Sequence, residues 1–202
     1  MAKNSNRDIN NISFGGWGFL IKFIAAFCLL YFGTKAVIGL TVPGGYYSAF
    51  INHYLNYPSW LRYSLMYGSH VLVAAFGFNT YLPDAYHIRM VNGHGVRLVY
   101  ACLGYGLLSF WVAFVFAGKE QVISKLKWMA GGCAIIWLIN VIRISLILIV
   151  TNSNWHFNIP VNQHTLYNVV VYACIFLMAW LFKKGHARNN MLAIQNSGLI
   201  KN

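Results

Sequence analysis

The sequence predicts an all-α polytopic membrane protein, with four to five transmembrane helices and a short extracytoplasmic hairpin. Three observations predict it. Of 202 residues, 58% are hydrophobic and only 9% charged, against about 25% charged in a soluble domain. The apolar residues stand in blocks, several approaching the roughly 20 residues that span a bilayer. Spanning segments must pair their own backbone groups, as helices or as a closed barrel. These blocks are too continuous for the alternating strands of a barrel.

The elements follow in order. The polar N-terminus leads into a first apolar segment, 17–42, which carries Lys22 and Lys35 and is broken by Pro43, Gly44 and Gly45. No small-residue cleavage site follows it, so it reads as a retained helix and not a signal peptide. The uncharged aromatic stretch 46–60 suits a helix lying at the membrane interface. A second segment, 61–78, is short and carries Arg62 and His70. Asn92–Gly93, between β-friendly runs in 79–97, is a hairpin signal. A third segment, 98–117, is followed by a short basic loop with Lys119, Lys125 and Lys127. Segment four is 128–150. A polar loop, 151–163, leads to segment five, 164–182, and the chain leaves the membrane at Lys183, Lys184 and Arg188.

Basic loops lie on the cytoplasmic side. That rule places the 119–127 loop and the 183–188 tail inside, with the 79–97 hairpin and the 151–163 loop outside. Lys3 and Arg7 also look cytoplasmic. Five full spans would put the N-terminus outside. Four spans, with segment two re-entrant or interfacial, keep it inside. The four-span arrangement is preferred, and five spans stay open.

The net charge is +12, from 15 Lys and Arg against 3 acids. The basic residues flank apolar blocks, which points to membrane orientation and away from nucleic acid. Asp8, Asp84 and Glu120 all lie outside the strong apolar blocks. A cation pump built on intramembrane carboxylates is therefore disfavoured. A transporter also lacks visible inverted repeats. The four cysteines have no CxxC or disulfide-like spacing, and no HExxH or Cys/His zinc pattern occurs. No metal or cofactor is expected. Residues 1–202 read as a single membrane domain.

Among intramembrane polar residues, Arg143 is the most costly. It lies about 22 Å along segment four from Trp128 and roughly 10 Å below its outer end. Asn140 is three residues earlier, on the same helix face. Cys102 falls roughly 7 Å inside the outer edge of segment three if that segment is helical from Arg97. His164 opens segment five at the same level. Cys28, Cys133 and Cys174 lie at other depths. A thiolate is a nucleophile, a histidine can carry its proton to a leaving amine, and an arginine can stabilise the oxyanion. Taken singly, Cys102 reads as an apolar filler and His164 as a helix-start residue. Together with Arg143 they read as a site for acyl transfer.

The stretches VRLVYACLGYG, WLINVIRISLIL and NQHTLYNVVVY carry a Cys before one helix, an Asn-x-x-Arg within the next, and a His opening the last. This order resembles the exosortase/archaeosortase family, over roughly half of the chain, with a catalytic core at 81–182. The resemblance implies a cysteine protease or transpeptidase in the plasma (inner) membrane, its active site facing outward. Its partners would be exported proteins with a C-terminal transmembrane sorting signal, and a lipid-linked or glycan acceptor. Cys102 would be the nucleophile, Arg143 the oxyanion stabiliser and His164 the general acid/base. Leu103 and Asn168 depart from the family's Ser or Asn before the glycine and its Gly after the histidine. The alternative is a non-enzymatic membrane scaffold or assembly partner.

Overall fold

The computed structural model describes residues 5–42, 46–152, 169, 171–182 and 184. Helix α1 runs Ser5–Thr41. Its stretch Trp17–Thr41 is 25 residues of mean hydropathy 1.9, about 37 Å at the helical rise. Trp17, Ile21, Leu29 and Phe32 are exposed on it. Phe19, Phe23, Phe27 and Tyr31 recur every fourth residue and so share one face, stacked at 6.3, 6.1 and 5.6 Å. Their edges meet Phe114 and Phe110 of the fourth helix.

The expected interfacial helix shrinks to α2, Ala49–Tyr54. Asn56 then caps helix α3, Tyr57–Ala75, its side chain accepting from the Ser59 N–H at 3.3 Å, with Pro58 in the first turn. Segment two therefore starts four residues before the expected 61, and it ends before Gly77, whose φ is +85°. Although 19 residues long, α3 is not one of the two helices apolar enough to cross a membrane.

The hairpin expected at Asn92–Gly93 forms. Strands β2, His87–Met90, and β3, Gly95–Arg97, pair antiparallel with Ile88 opposite Val96. Asn92 takes φ +60° in the turn, a conformation its short polar side chain tolerates. A further strand, β1, Thr80–Tyr81, joins as the other edge. It is held to α3 where His70 Nδ1 meets Thr80 Oγ1 at 2.6 Å.

Segment three does not run as one helix from 98. A 3-10 turn occupies Tyr100–Leu103, Gly104 breaks it at φ +70°, and helix α4 covers only Tyr105–Ala117. Leu98 and Leu103 are buried beside α3 instead of continuing the helix. Helix α5, Val122–Asn152, begins six residues before the expected 128. Lys125 and Lys127 thus belong to a helix and not to a loop. Lys125 Nζ donates to the Phe116 carbonyl at 3.0 Å, satisfying an orphan acceptor at the end of α4. A further apolar helix, α6, is Val171–Phe182.

Two apolar clusters set the layers. One joins α3, the sheet and the C-terminal half of α5 through Leu65, Met66, Ile88, Leu98, Val141 and Leu148. The other joins α4, the N-terminal half of α5 and α6 through Trp111, Val115, Ile136, Ile175 and Phe182. Small and polar residues let the helices approach, as in membrane bundles. The Trp111 indole occupies the space a Cβ on Gly132 would need, and its Nε1 donates to the Trp128 carbonyl at 3.0 Å. Trp137 Nε1 donates to Ser64 Oγ at 3.1 Å, tying α5 to α3.

On α5, buried Gly132, Ile136, Asn140, Ile144 and Leu148 face inward, while Ile135, Leu138, Ile142 and Leu146 are exposed. The outer face is thus aliphatic and the inner face carries small and polar groups. The architecture is mainly helical, and two helices, α1 and α5, are long and apolar enough to cross a membrane.

Candidate functional site

Cys102 lies in the 3-10 turn and not on a helix. The turn is closed by its N–H donating to the Val99 carbonyl at 2.9 Å. The residue is half-buried, and its side chain packs against the cluster containing Val141 and Ile144 of α5. Two residues on, Gly104 reverses the chain and caps α4. A Cβ built there would lie 2.6 Å from Asn140 Nδ2. A side chain at 104 is therefore opposed twice, by the left-handed backbone and by the Asn140 carboxamide.

Asn140 is 3% exposed and donates from Nδ2 to the Ile136 carbonyl at 2.9 Å. It opens with Arg143 onto a cavity of about 950 Å³ between α1, α4, α5 and α6. That is the upper end of the usual size for a ligand pocket. Gly104 and Tyr105 form part of its wall, and Tyr31, Tyr172 and Trp180 give the others an aromatic lining. The Asn-x-x-Arg spacing thus delivers both polar residues to one chamber, as one helical turn requires.

Of the residues expected at the site, Arg143 and Asn140 are brought together. Cys102 stands at the margin: its turn adjoins the chamber through Gly104, but Cys102 is not one of the lining residues. His164 lies outside the described residues.

A second polar centre has no counterpart in the sequence reading. Arg62 on α3 is 5% exposed. Its guanidinium carbon sits 3.9 Å from the ring centroid of Tyr86 and 5.1 Å from that of Tyr100, a pair of cation–π contacts. The two rings are edge-to-face at 6.4 Å. Arg62 therefore fastens the loop before β2, and the first residue of the cysteine's turn, onto α3. The signal available in the sequence was a basic residue in an apolar segment. Its partners, 24 and 38 residues away, gave none.

The sheet has its own anchors. Asn152, the last residue of α5, donates from Nδ2 to the His94 carbonyl at 3.1 Å and accepts the His94 N–H at 2.5 Å. Gly93 leaves room for that side chain. Asp84 is exposed but engaged: it accepts the Tyr86 and His87 N–H groups at 2.7 and 2.9 Å and meets His87 Nδ1 at 2.7 Å. The Tyr86 N–H bond, followed by the His87 side chain, holds the Asp84 carboxyl below its ordinary 3.8. His70 is held by Thr80. No group of three His, Cys, Asp or Glu is poised to hold a metal among the described residues.

No family model, no curated protein and no solved structure matches this chain.

Proposed function

We propose that this protein is a membrane-embedded cysteine peptidase or transpeptidase acting on exported proteins with a C-terminal transmembrane signal. The observation that carries the proposal is the chamber shared by Asn140, Arg143 and Gly104, two residues beyond Cys102. An arginine lining a largely apolar chamber is suited to charge that develops during reaction. The exposed aliphatic face of α5 and the apolar surface of α1 support a membrane setting, with α1 and α5 as spans. The shorter apolar helices, α4 and α6, bring the count to four in this reading, and α3 would be the fifth. The outward orientation of the site rests on the basic segments at 119–127 and 183–188.

In the proposed reaction the Cys102 thiol gives its proton to His164, and Sγ attacks the scissile carbonyl carbon. Arg143 stabilises the oxyanion. As the C–N bond breaks, the leaving amine takes the proton from His164 and a thioester remains on Cys102. Water or an acceptor amine then gives a proton to His164, attacks the thioester and restores the thiol. No carboxylate takes part, in keeping with a chain of three acids.

Mapping the C-termini of exported proteins in cells carrying wild type or Cys102→Ala tests this. A set of proteins should lose its C-terminal helix and basic tail only with the wild type. Identical profiles at normal levels of the mutant would sink the proposal. The position of Cys102 beside an apolar cluster, off the chamber's lining, favours the second reading, a non-enzymatic membrane scaffold. In that case Cys102→Ala retains full function.

A further inference from the structure

We propose that Arg62 and the first turn of α3 form a binding site for a phosphate group, presented at the membrane surface by a phospholipid headgroup. The inference rests on the membrane setting proposed above and not on the thiol chemistry.

The pocket, about 360 Å³, has Thr41, Asn56, Ser59, Arg62, Tyr86 and Tyr100 in its lining. Arg62 is its centre. Nη2 donates to Ser59 Oγ at 3.3 Å, but buried Nε and Nη1 have no hydrogen-bond partner. The Tyr86 and Tyr100 ring faces offset part of the charge, and the Tyr100 hydroxyl also interacts with the guanidinium, yet Nε and Nη1 stay without an acceptor. A buried charge with unmet donors is expensive unless an anion completes it. Asp84 is turned to His87 instead, and Arg62 Nε and Nη1 meet no carboxylate among the described residues.

The remaining wall is built of donors and dipoles. Asn56 Nδ2 donates to Asn52 Oδ1 at 2.8 Å, and Asn52 Nδ2 donates to Tyr47 Oη at 3.2 Å, forming a connected rim. The pocket also lies over the N-terminal turn of a 19-residue helix, where the backbone favours negative charge. An arginine fork matches phosphate oxygens bidentately.

Position selects the source. Thr41 ends the apolar stretch Trp17–Thr41, so the pocket sits at the level where that span would leave the hydrocarbon. Around it, Tyr46, Phe50, Tyr54, Trp60 and Tyr63 are exposed, Tyr46 by 91%. Such aromatics gather at the headgroup level of a bilayer. A phosphate diester on a lipid reaches this depth, and its chains can lie along the exposed rings.

The test uses the full chain purified in a phosphate-free glycoside detergent. It is titrated with phosphatidylglycerol, with diacylglycerol of the same chains, and with inorganic phosphate. Native mass spectrometry counts retained lipid, and thermal unfolding reports binding of either phosphate. Phosphatidylglycerol should be retained and diacylglycerol should not. Arg62→Gln should weaken retention at least about tenfold, the loss expected for a charge-assisted hydrogen bond. Ser59→Asp covers the case in which Arg62→Gln does not fold. It places a carboxylate beside the guanidinium, so it should raise thermal stability and abolish phosphate binding together.

Stabilisation by inorganic phosphate as strong as that by the lipid supports the site and assigns it to free phosphate. Equal retention of diacylglycerol, or unchanged phosphatidylglycerol binding in both variants, overturns the proposal. So does binding of a peptide carboxylate in place of any phosphate. Repeating the titration on Cys102→Ala separates the two proposals: lipid retention there should match the wild type whether or not Cys102 is a nucleophile.

Discussion

Gly104 and Asn140 are fitted to each other. The glycine turns the chain at φ +70°, and the asparagine carboxamide lies 2.6 Å from where a Cβ would stand. That contact joins the cysteine's turn to the middle of α5, and it sets where the chamber begins.

Gly104→Ala should therefore destabilise the protein by about 2 kcal/mol or more, from left-handed backbone and overpacking together. Asn140→Ala should relieve the overpacking part. Thermal unfolding of the two single variants and the double variant should show a coupling of roughly 0.5–3 kcal/mol. Simple additivity would mean that the two residues do not meet.

Gly132 allows α4 and α5 to close over Trp111. Gly132→Leu should be among the most damaging single changes outside the chamber. The indole must leave its place and its hydrogen bond to the Trp128 carbonyl. Overpacking of this kind costs about 1–3 kcal/mol. A melting temperature equal to wild type would contradict the packing described.

Asn152 clasps the β2–β3 turn through both atoms of its amide. Asn152→Ala should free residues 91–95 for hydrogen exchange and proteolysis while leaving the helices intact. Each lost bond is worth about 1 kcal/mol. Unchanged protection of the His94 amide would show that the clasp does not form.

Acid should loosen the loop before β2. Asp84 is held below its ordinary 3.8 by the Tyr86 N–H and the His87 side chain. A folded-state value lower than the unfolded one contributes stability that is present above the unfolded value and is lost as pH falls through the folded value. Exchange protection of the Tyr86 amide should thus hold at neutral pH and fall below pH about 4. In Asp84→Asn that acid-side loss should disappear. An identical acid profile in the two proteins would remove Asp84 as the cause.

The helices were legible because apolar blocks are long and Pro43, Gly44 and Gly45 interrupt them. The β2–β3 hairpin was legible because Asn92–Gly93 is a strong local turn signal. What escaped depended on distant partners. Strand β1 is two residues long and is held by His70, ten positions back. The break at Gly104 looked like an ordinary glycine in a helix, because the sequence does not say that Asn140 will press against it. The early start of α5 was hidden by Lys125 and Lys127, read as a loop. Their charge is compatible with a helix whose lysine reaches the end of α4. Asn140 and Arg143 were legible as a pair because one helical turn separates them. The Arg62 centre was not, since its rings arrive from the loop and the turn.

Under the proposed function, Cys102 carries an acyl group during turnover. The most direct measurement is peptide mass spectrometry of the protein isolated with its substrates, focused on the Cys102 peptide before and after hydroxylamine. A hydroxylamine-labile acyl adduct should appear on Cys102, be absent in Cys102→Ser and accumulate in a His164→Ala variant that can acylate slowly but not release. An unmodified Cys102 peptide throughout, with Cys102→Ala cells processing the same proteins as wild type, would contradict it.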